Sequence, residues 1–188
     1  MSRFTVVIDA NIFYPAPLRD LMLRLMATGL FRGRWTEKIH EEWTRNLLID
    51  RPDLADRIPK TVEKINSSFL DCLVNGYEHF IPCIHLPDLD DRHVVAAAIK
   101  AGAEVIVTSN LKDFPPQMLE PYGIEAIHPD DFFVDVFDLH PAKVLEAVAK
   151  MRRGLVKPPM DQDEFLGCLR RQGLPQTAAT LEKYKPAI

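Results

Sequence analysis

Residues 90–108, DDRHVVAAAIKAGAEVIVT, join a predicted helix to a predicted strand with almost no chain between them. Asp90 can cap a helix that is apolar on most sides, and Gly102 is placed to end it. The β-branched run Glu104–Thr108 then predicts a buried strand. A helix that leads directly into a buried strand is typical of α/β proteins with parallel sheets.

Strands and helices alternate on both sides of this stretch. Further strands are predicted at Phe4–Ile8, His79–Ile84 and Glu125–Ile127. Helices are predicted after Pro15, after Thr36, and from Val62 to Leu73. The alternation predicts a doubly wound parallel sheet with right-handed crossovers, and thus the α/β class.

Only helical patterns follow residue 137. Helices are predicted after Pro141, after the capping-box pair Asp161 and Glu164, and after Pro175, with a stiff linker at Lys157-Pro158-Pro159. We therefore predict an α/β domain over residues 1–137 and an all-helical extension over residues 138–188. The extension has 9 basic and 6 acidic residues, a net charge of +3, and the remainder has 14 and 21, a net charge of −7.

The composition excludes some classes of protein. The chain has 188 residues, of which 47% are hydrophobic, which suits one globular domain with an appendage. The three cysteines lack metal-ligand spacing and are typical of a reduced, cytoplasmic protein. No signal peptide is evident, and no run approaches the ~20 apolar residues that a membrane helix needs.

Oxygen-bearing side chains follow two of the predicted strands. Asp9 comes directly after the first strand, and Asn110 and Asp113 follow the strand that ends at Thr108. The ligand crevice of a parallel α/β sheet lies at the carboxyl ends of its strands. Carboxylates gathered there repel one another unless a cation neutralises them, and Mg²⁺ or Mn²⁺ prefers oxygen ligands.

Two helices supply further acidic candidates. Glu42 lies beside the apolar face of its helix, whereas Glu41 points to the opposite side. Asp91 leads into the buried helix and is the better metal ligand of the pair it forms with Asp90. Each acid also has an ordinary role as a cap or a solvated side chain, and His93 is expected to be a capping or surface residue.

Four segments together resemble the PIN domain. They are VVIDAN (6–11), Glu42-Trp43, DLDDRHVVAAA (88–98) and VTSNLKDF (107–114), and their order and spacing match that family over about residues 4–137. The resemblance implies a PIN-like α/β/α sandwich with a central parallel sheet. Among PIN proteins the chain is most similar to VapC toxins with a helical C-terminal extension.

The resemblance also implies a Mg²⁺- or Mn²⁺-dependent endoribonuclease. The implied catalytic and metal-binding acids are Asp9, Glu42, Asp91 and Asp113. Asn110 stands where many family members have aspartate and is a further candidate ligand. The implied supporting residues are Asn11, Asp90 and Thr108.

The implied partners are RNA, a VapB-like antitoxin and a second copy of the chain. The Leu18, Leu21 and Leu25 stripe, with Trp35 and Trp43, is predicted to leave a groove for an antitoxin helix. The predicted phosphate contacts of the extension are Lys150, Arg152, Arg153, Arg170 and Arg171. Two alternatives stay open: an RNA-processing PIN nuclease without an antitoxin, and a catalytically inactive PIN binding module.

Overall fold

A four-stranded parallel sheet in the order β2-β1-β3-β4 organises the first of the two units into which the chain divides. The computed structural model describes residues 4–156 and 158–188, and the first unit comprises the chain up to residue 14 together with residues 31–127. The strands are β1 (Thr5–Ile8), β2 (Arg32–Arg34), β3 (Val105–Val107) and β4 (Glu125–Ile127). The parallel sheet confirms the predicted α/β class.

The central strands β1 and β3 bring two site segments together. Ile8 pairs in register with Val107, and both side chains are fully buried, as expected of a strand that is covered on both faces. The chain runs from β1 to β2 on one side, while β3 lies on the other. Ligand crevices form where the strand order reverses in this way. Asp9 and Thr108 therefore leave neighbouring strands at the same edge of the sheet.

The helix that leads into β3 confirms the helix predicted to end at Gly102, although its N-cap is Asp91 and not Asp90. It forms α5 (Arg92–Ala101), contacts both β1 and β3, and is buried from His93 to Ala98. Gly102 has a φ of 59°, and the Ala103 N–H donates to the Ala98 carbonyl over 2.9 Å, which closes the helix with a left-handed turn. Three successive alanines allow this helix to approach the sheet closely. The other helices of the unit are α1 (Ala10–Phe13), α3 (Glu37–Asp50), α4 (Ile58–Ser68) and α6 (Pro116–Leu119).

A buried network of polar side chains holds α3 in place. Thr36 caps the helix, as predicted, by accepting a 3.1 Å hydrogen bond from the Ile39 N–H. The Asn66 amide oxygen accepts from the Trp35 indole N–H over 2.9 Å and lies 2.8 Å from Nε2 of His40. His40 Nδ1 accepts from the Trp43 indole N–H over 2.9 Å. Since Nδ1 is an acceptor, Nε2 carries the proton and His40 is neutral.

Two secondary-structure predictions for the first unit are wrong, and one strand was not predicted. Residues 79–84 form no strand, because the chain adopts a 3-10 helix over Glu78–Cys83. α4 ends at Ser68 and does not reach Leu73, which instead forms a parallel bridge with Trp35. The edge strand β2 was missed because its sequence, Arg-Gly-Arg, has none of the β-branched or aromatic residues that signal a strand.

The second unit comprises residues 15–30 and 128–188, and its described residues form helices joined by short connections. Its helices are α2 (Ala16–Ala27), α7 (Pro129–Leu139), α8 (Pro141–Gly154), α9 (Gln162–Arg171) and α10 (Pro175–Glu182). The predicted capping box is confirmed, since Asp161 accepts from the Glu164 N–H over 2.8 Å and Glu164 accepts from the Asp161 N–H over 2.9 Å. The predicted linker at residues 157–159 begins at Lys157, which lies outside the described residues.

Asp130 of α7 caps α10 across the second unit. Its carboxylate accepts from the backbone N–H groups of Gln176 and Thr177, each over 2.8 Å, and from the Thr177 hydroxyl over 2.8 Å. The Asp130 side chain is buried, and these bonds compensate its charge. The predicted boundary after residue 137 falls inside α7. The division into residues 1–137 and 138–188 stays a prediction.

The groove predicted for an antitoxin helix does not exist in the form expected. Leu18, Leu21 and Leu25 of α2 are buried, and so are Trp35 and Trp43. Their apolar surface is already covered within the monomer, so it is not available to a partner. Within the described residues, no helix combines the length and apolar character needed to span a bilayer.

Candidate active site

A cavity of 630 Å³ opens at the carboxyl ends of β1 and β3. Predicted site residues from four parts of the chain line it, namely Asp9, Asn11, Glu42, Asp90, Asp91 and Asn110. Glu42 lines this cavity, whereas Glu41 is exposed. The structure thus brings together residues that are up to a hundred positions apart in sequence.

Asp9 is buried and held rigidly at the floor of the site. Its Oδ2 accepts from the Thr108 hydroxyl over 2.7 Å and from the Asn11 amide over 2.5 Å, and its Oδ1 accepts from the Ala10 N–H over 2.6 Å. Each carboxylate oxygen accepts about two hydrogen bonds, so Oδ1 retains a lone pair for a cation. Burial raises the pKa of Asp9, and the nearby Glu42 raises it further, against the lowering effect of the Thr108 hydrogen bond.

Thr108 joins the two strand ends. It is fully buried, and its hydroxyl accepts from the Asn11 amide over 2.9 Å and from the Asn110 N–H over 3.1 Å while it donates to Asp9. The Ser109 N–H donates to Asn11 over 3.0 Å. Asn11 and Thr108, which were predicted as supporting residues, therefore orient the Asp9 carboxylate.

Asp91 belongs to a cluster of three carboxylates. One oxygen each of Asp88, Asp91 and Asp113 lies within 4.8 Å of the others. Burial raises the pKa of Asp91 to about 7, with further contributions from the negative charges of Asp9, Asp88 and Asp113. The N-cap position of α5 is Asp91 rather than Asp90, yet the Asp91 side chain makes no capping hydrogen bond. Its carboxylate therefore remains available to a ligand.

Asp88 was missed by the sequence analysis. It stands three residues before Asp91, and its Oδ1 accepts from the Asp90 N–H over 2.9 Å. That turn fixes Asp88 toward the cluster, whereas Asp90 is exposed at the cavity wall. The only signal in the sequence is the repeated acid before the helix, which is equally typical of helix capping.

Asn110 supports Asp113. Its amide nitrogen donates to Oδ2 of Asp113, and Asp113 ends a short 3-10 turn over Leu111–Asp113. The hydrogen bond orients the Asp113 carboxylate, and the Asn110 amide oxygen is the atom that is left to act as a ligand.

Glu42 contacts His93, which was predicted to be a capping or surface residue. His93 is buried, not a surface or capping residue, because the first turn of α5 packs below the site. Its Nε2 lies 2.9 Å from Oε1 of Glu42, but the geometry is not that of a well-formed hydrogen bond. The contact brings the imidazole of α5 against the Glu42 carboxylate of α3. Lys38 lies 3.8 Å from the same oxygen.

The donor set fits a hard divalent cation. Among the described residues, no Lys or Arg forms an ion pair with Asp9, Asp88, Asp91 or Asp113. Burial and repulsion between the carboxylates raise the pKa of Asp9 and Asp91. A cation would relieve this repulsion, and carboxylate and amide oxygens are the ligands that Mg²⁺ and Mn²⁺ take. Asp91, Asp88 and Asp113 would hold it, with Oδ1 of Asp9 and Glu42 beside them.

The predicted phosphate contacts of the helical extension differ in availability. Arg152 is half-buried and donates to the Met160 carbonyl over 3.1 Å, and Arg170 pairs with Glu182 over 2.6 Å. Lys150 pairs with Glu146 over 2.6 Å. Arg153 and Arg171 are exposed. None of these residues lines the cavity that contains the acids.

The comparison with known proteins agrees with this geometry. The family model for the PIN domain matches residues 5–112, which is more than half of the chain. The chain belongs to the PIN domain family. The match runs from β1 through the loop that holds Asn110 and ends one residue before Asp113.

Two further similarities concern VapC50. The family model described as the VapC50 C-terminal domain matches residues 129–183, which lie in the second unit. A Mycobacterium tuberculosis protein named "Putative ribonuclease VapC50" is 43% identical over 112 residues, or 60% of this chain. The match spans 65% of that relative's length.

Proposed function

We propose that this PIN protein is a divalent-cation-dependent endoribonuclease that hydrolyses phosphodiester bonds in RNA. The observation that carries the proposal is the carboxylate cluster at the carboxyl ends of β1 and β3, in which Asp91 has a pKa raised to about 7. The name of the M. tuberculosis relative supports RNA as the substrate.

The chain's own residues prepare the site for this reaction. Thr108 and Asn11 hold Asp9 so that one of its oxygens faces the cavity, and Asn110 holds Asp113. Asp91, at the start of α5, is close enough to both acids for their charges to raise its pKa. A bound cation supplies Lewis acidity, which activates water at neutral pH and stabilises the leaving oxygen. No serine or cysteine nucleophile is required, and the expected products are a 5′-phosphate and a 3′-hydroxyl.

We further propose that the enzyme is the toxin of a VapBC-type pair. The match of residues 129–183 to the VapC50 C-terminal domain supports this assignment, because the similarity to VapC50 continues beyond the PIN domain. The proposal includes a VapB-like antitoxin that inhibits cleavage, and a homodimer. Growth arrest on expression, relieved by the product of an adjacent gene, would support the toxin role. A monomer in light scattering would contradict the homodimer.

The direct test is cleavage of a panel of structured RNAs. We expect cutting with Mg²⁺ or Mn²⁺, loss of cutting in EDTA, and weak activity with Ca²⁺ because its coordination is longer and looser. Asp9→Asn and Asp91→Asn should each remove most of the activity, whereas Asp56→Asn, an exposed acid outside the cavity, should not. Equal cleavage in EDTA, or 2′,3′-cyclic phosphate ends, would contradict the mechanism. Metal-dependent RNA binding without cleavage would favour an inactive binding module.

A further inference from the structure

The wall of the cavity formed by α3 differs in charge from its floor. Five acids line the cavity: Asp9, Glu42, Asp50, Asp90 and Asp91. Among the described residues, the cations that line it are Lys38 and Arg45, and both belong to α3. Together with Glu42 and Asn46 they occupy positions i, i+4, i+7 and i+8, which is one face of a helix. These side chains therefore lie on one wall of the cavity.

The two cations are not equivalent. Lys38 lies 3.8 Å from Oε1 of Glu42, so its charge partly offsets the charge of that carboxylate. Arg45 is exposed, and among the described residues it forms no ion pair. It lies three residues beyond Glu42, which is about 4.5 Å along the helix axis. A guanidinium at this position can bind the phosphate next to the one that a cation held by the acids would bind.

An aromatic side chain, Tyr14, also lines this cavity. Tyr14 follows α1, and its hydroxyl donates to Asp50 at the end of α3. This hydrogen bond raises the pKa of Tyr14, so the phenol keeps its proton and stays anchored. An anchored ring that borders a cavity offers a surface on which an unpaired base can stack.

We propose that Arg45 and Tyr14 form a subsite for the nucleotide next to the scissile phosphate. Arg45 binds the flanking phosphate, and the Tyr14 ring stacks on the base. The inference rests on the proposed ribonuclease function. It assigns substrate positioning to the α3 wall of the first unit. Neither residue has a part in holding the cation.

If the subsite exists, loss of Arg45 should change the salt dependence of RNA affinity by a defined amount. One phosphate contact on single-stranded RNA contributes about 0.7 to the slope of log affinity against log salt. Arg45→Gln should reduce the slope by about this amount and raise KM about fourfold at ~0.15 M salt, which is the counterion contribution of one contact. The matched control is Arg57→Gln, since Arg57 is exposed and does not line the cavity.

Loss of the Tyr14 ring should weaken RNA binding through a contact that does not depend on charge. Tyr14→Ala should weaken binding of a fluorescent RNA oligonucleotide about 5- to 150-fold, the range expected for loss of one stacked base, and Tyr14→Phe should restore most of it. Binding is measured by anisotropy in Ca²⁺, and Mn²⁺ affinity without RNA is measured by calorimetry. Mn²⁺ affinity should be unchanged in both arginine variants and in both Tyr14 variants.

The outcomes separate this inference from the proposed function. If the wild-type protein cleaves RNA but Arg45→Gln matches Arg57→Gln in KM and salt slope, the phosphate contact is wrong. If Tyr14→Phe binds as weakly as Tyr14→Ala, the ring is not the recognition element. If the wild-type protein neither binds nor cleaves RNA, the ribonuclease proposal itself fails. A fall in Mn²⁺ affinity in the Arg45 or Tyr14 variants would place these residues in the metal site and overturn the assignment.

Discussion

Replacing Asp91 by asparagine should stabilise the metal-free protein while it removes catalysis. The pKa of Asp91 is raised to about 7 from its ordinary value of 3.8, first by burial and then by Asp9, Asp88 and Asp113. The folded protein therefore holds this proton more tightly than the unfolded chain. The free energy of unfolding should fall as the pH rises from about 4 to 7, and it should stay at the lower level above pH 7.

The size of the effect follows from the shift. About three pKa units correspond to roughly 4 kcal/mol, but solvent screens the half-exposed Asp91 carboxylate, which reduces the expected value to about 1–2 kcal/mol. At pH 8 in EDTA, Asp91→Asn should thus raise Tm by roughly 3–6 °C. At pH 4 the two proteins should unfold alike, because Asp91 is then protonated in the wild type.

The assay is thermal and denaturant unfolding in EDTA at both pH values, with Asp56→Asn as a charge-matched control that should change stability by less than about 0.5 kcal/mol. Saturating Mn²⁺ should reverse the order, since a ligand at 100 times its Kd adds about 2.7 kcal/mol to the wild type alone. A variant that is less stable than the wild type in EDTA at pH 8 would refute the account of a strained acid cluster.

Two further substitutions test residues around and away from the site. His93→Leu should lower Mn²⁺ affinity about 10-fold, because it leaves Glu42 without its imidazole contact, and His93→Gln should lower the affinity less. Calorimetry without RNA measures both affinities. An unchanged affinity in His93→Leu would show that the contact does not position Glu42. Asp130→Ala should reduce the free energy of unfolding by about 2–4 kcal/mol, since it leaves the capped N–H groups of α10 without their acceptor. Denaturant unfolding measures this loss against Asp135→Ala, an exposed position on the same helix, and equal stability of the two variants would contradict the role of the cap.

The sequence by itself determined the class of the fold, and it indicated most of the acids that the structure brings together at the candidate site. The β-branched run of β1 and the alanine-rich α5 admit few interpretations, because their periods and end signals agree with one another. The positions of Asp9 and Thr108 at strand ends follow from those runs, and the phase of α3 selects Glu42 over Glu41. Capping signals at Thr36 and Asp161 were equally reliable, because they depend on neighbouring residues only.

The tertiary structure alone decided what depends on distant contacts. β2 is a strand because it pairs with β1, not because Arg-Gly-Arg favours extended chain. Asp88 enters the carboxylate cluster because the turn before α5 brings it beside Asp113, and His93 is buried because α5 packs on the sheet. Helix α2 joins residues 128–188 in one unit although it precedes them by a hundred positions. Periodicity shows which face of an element is apolar, but only the packed structure shows which partner covers it.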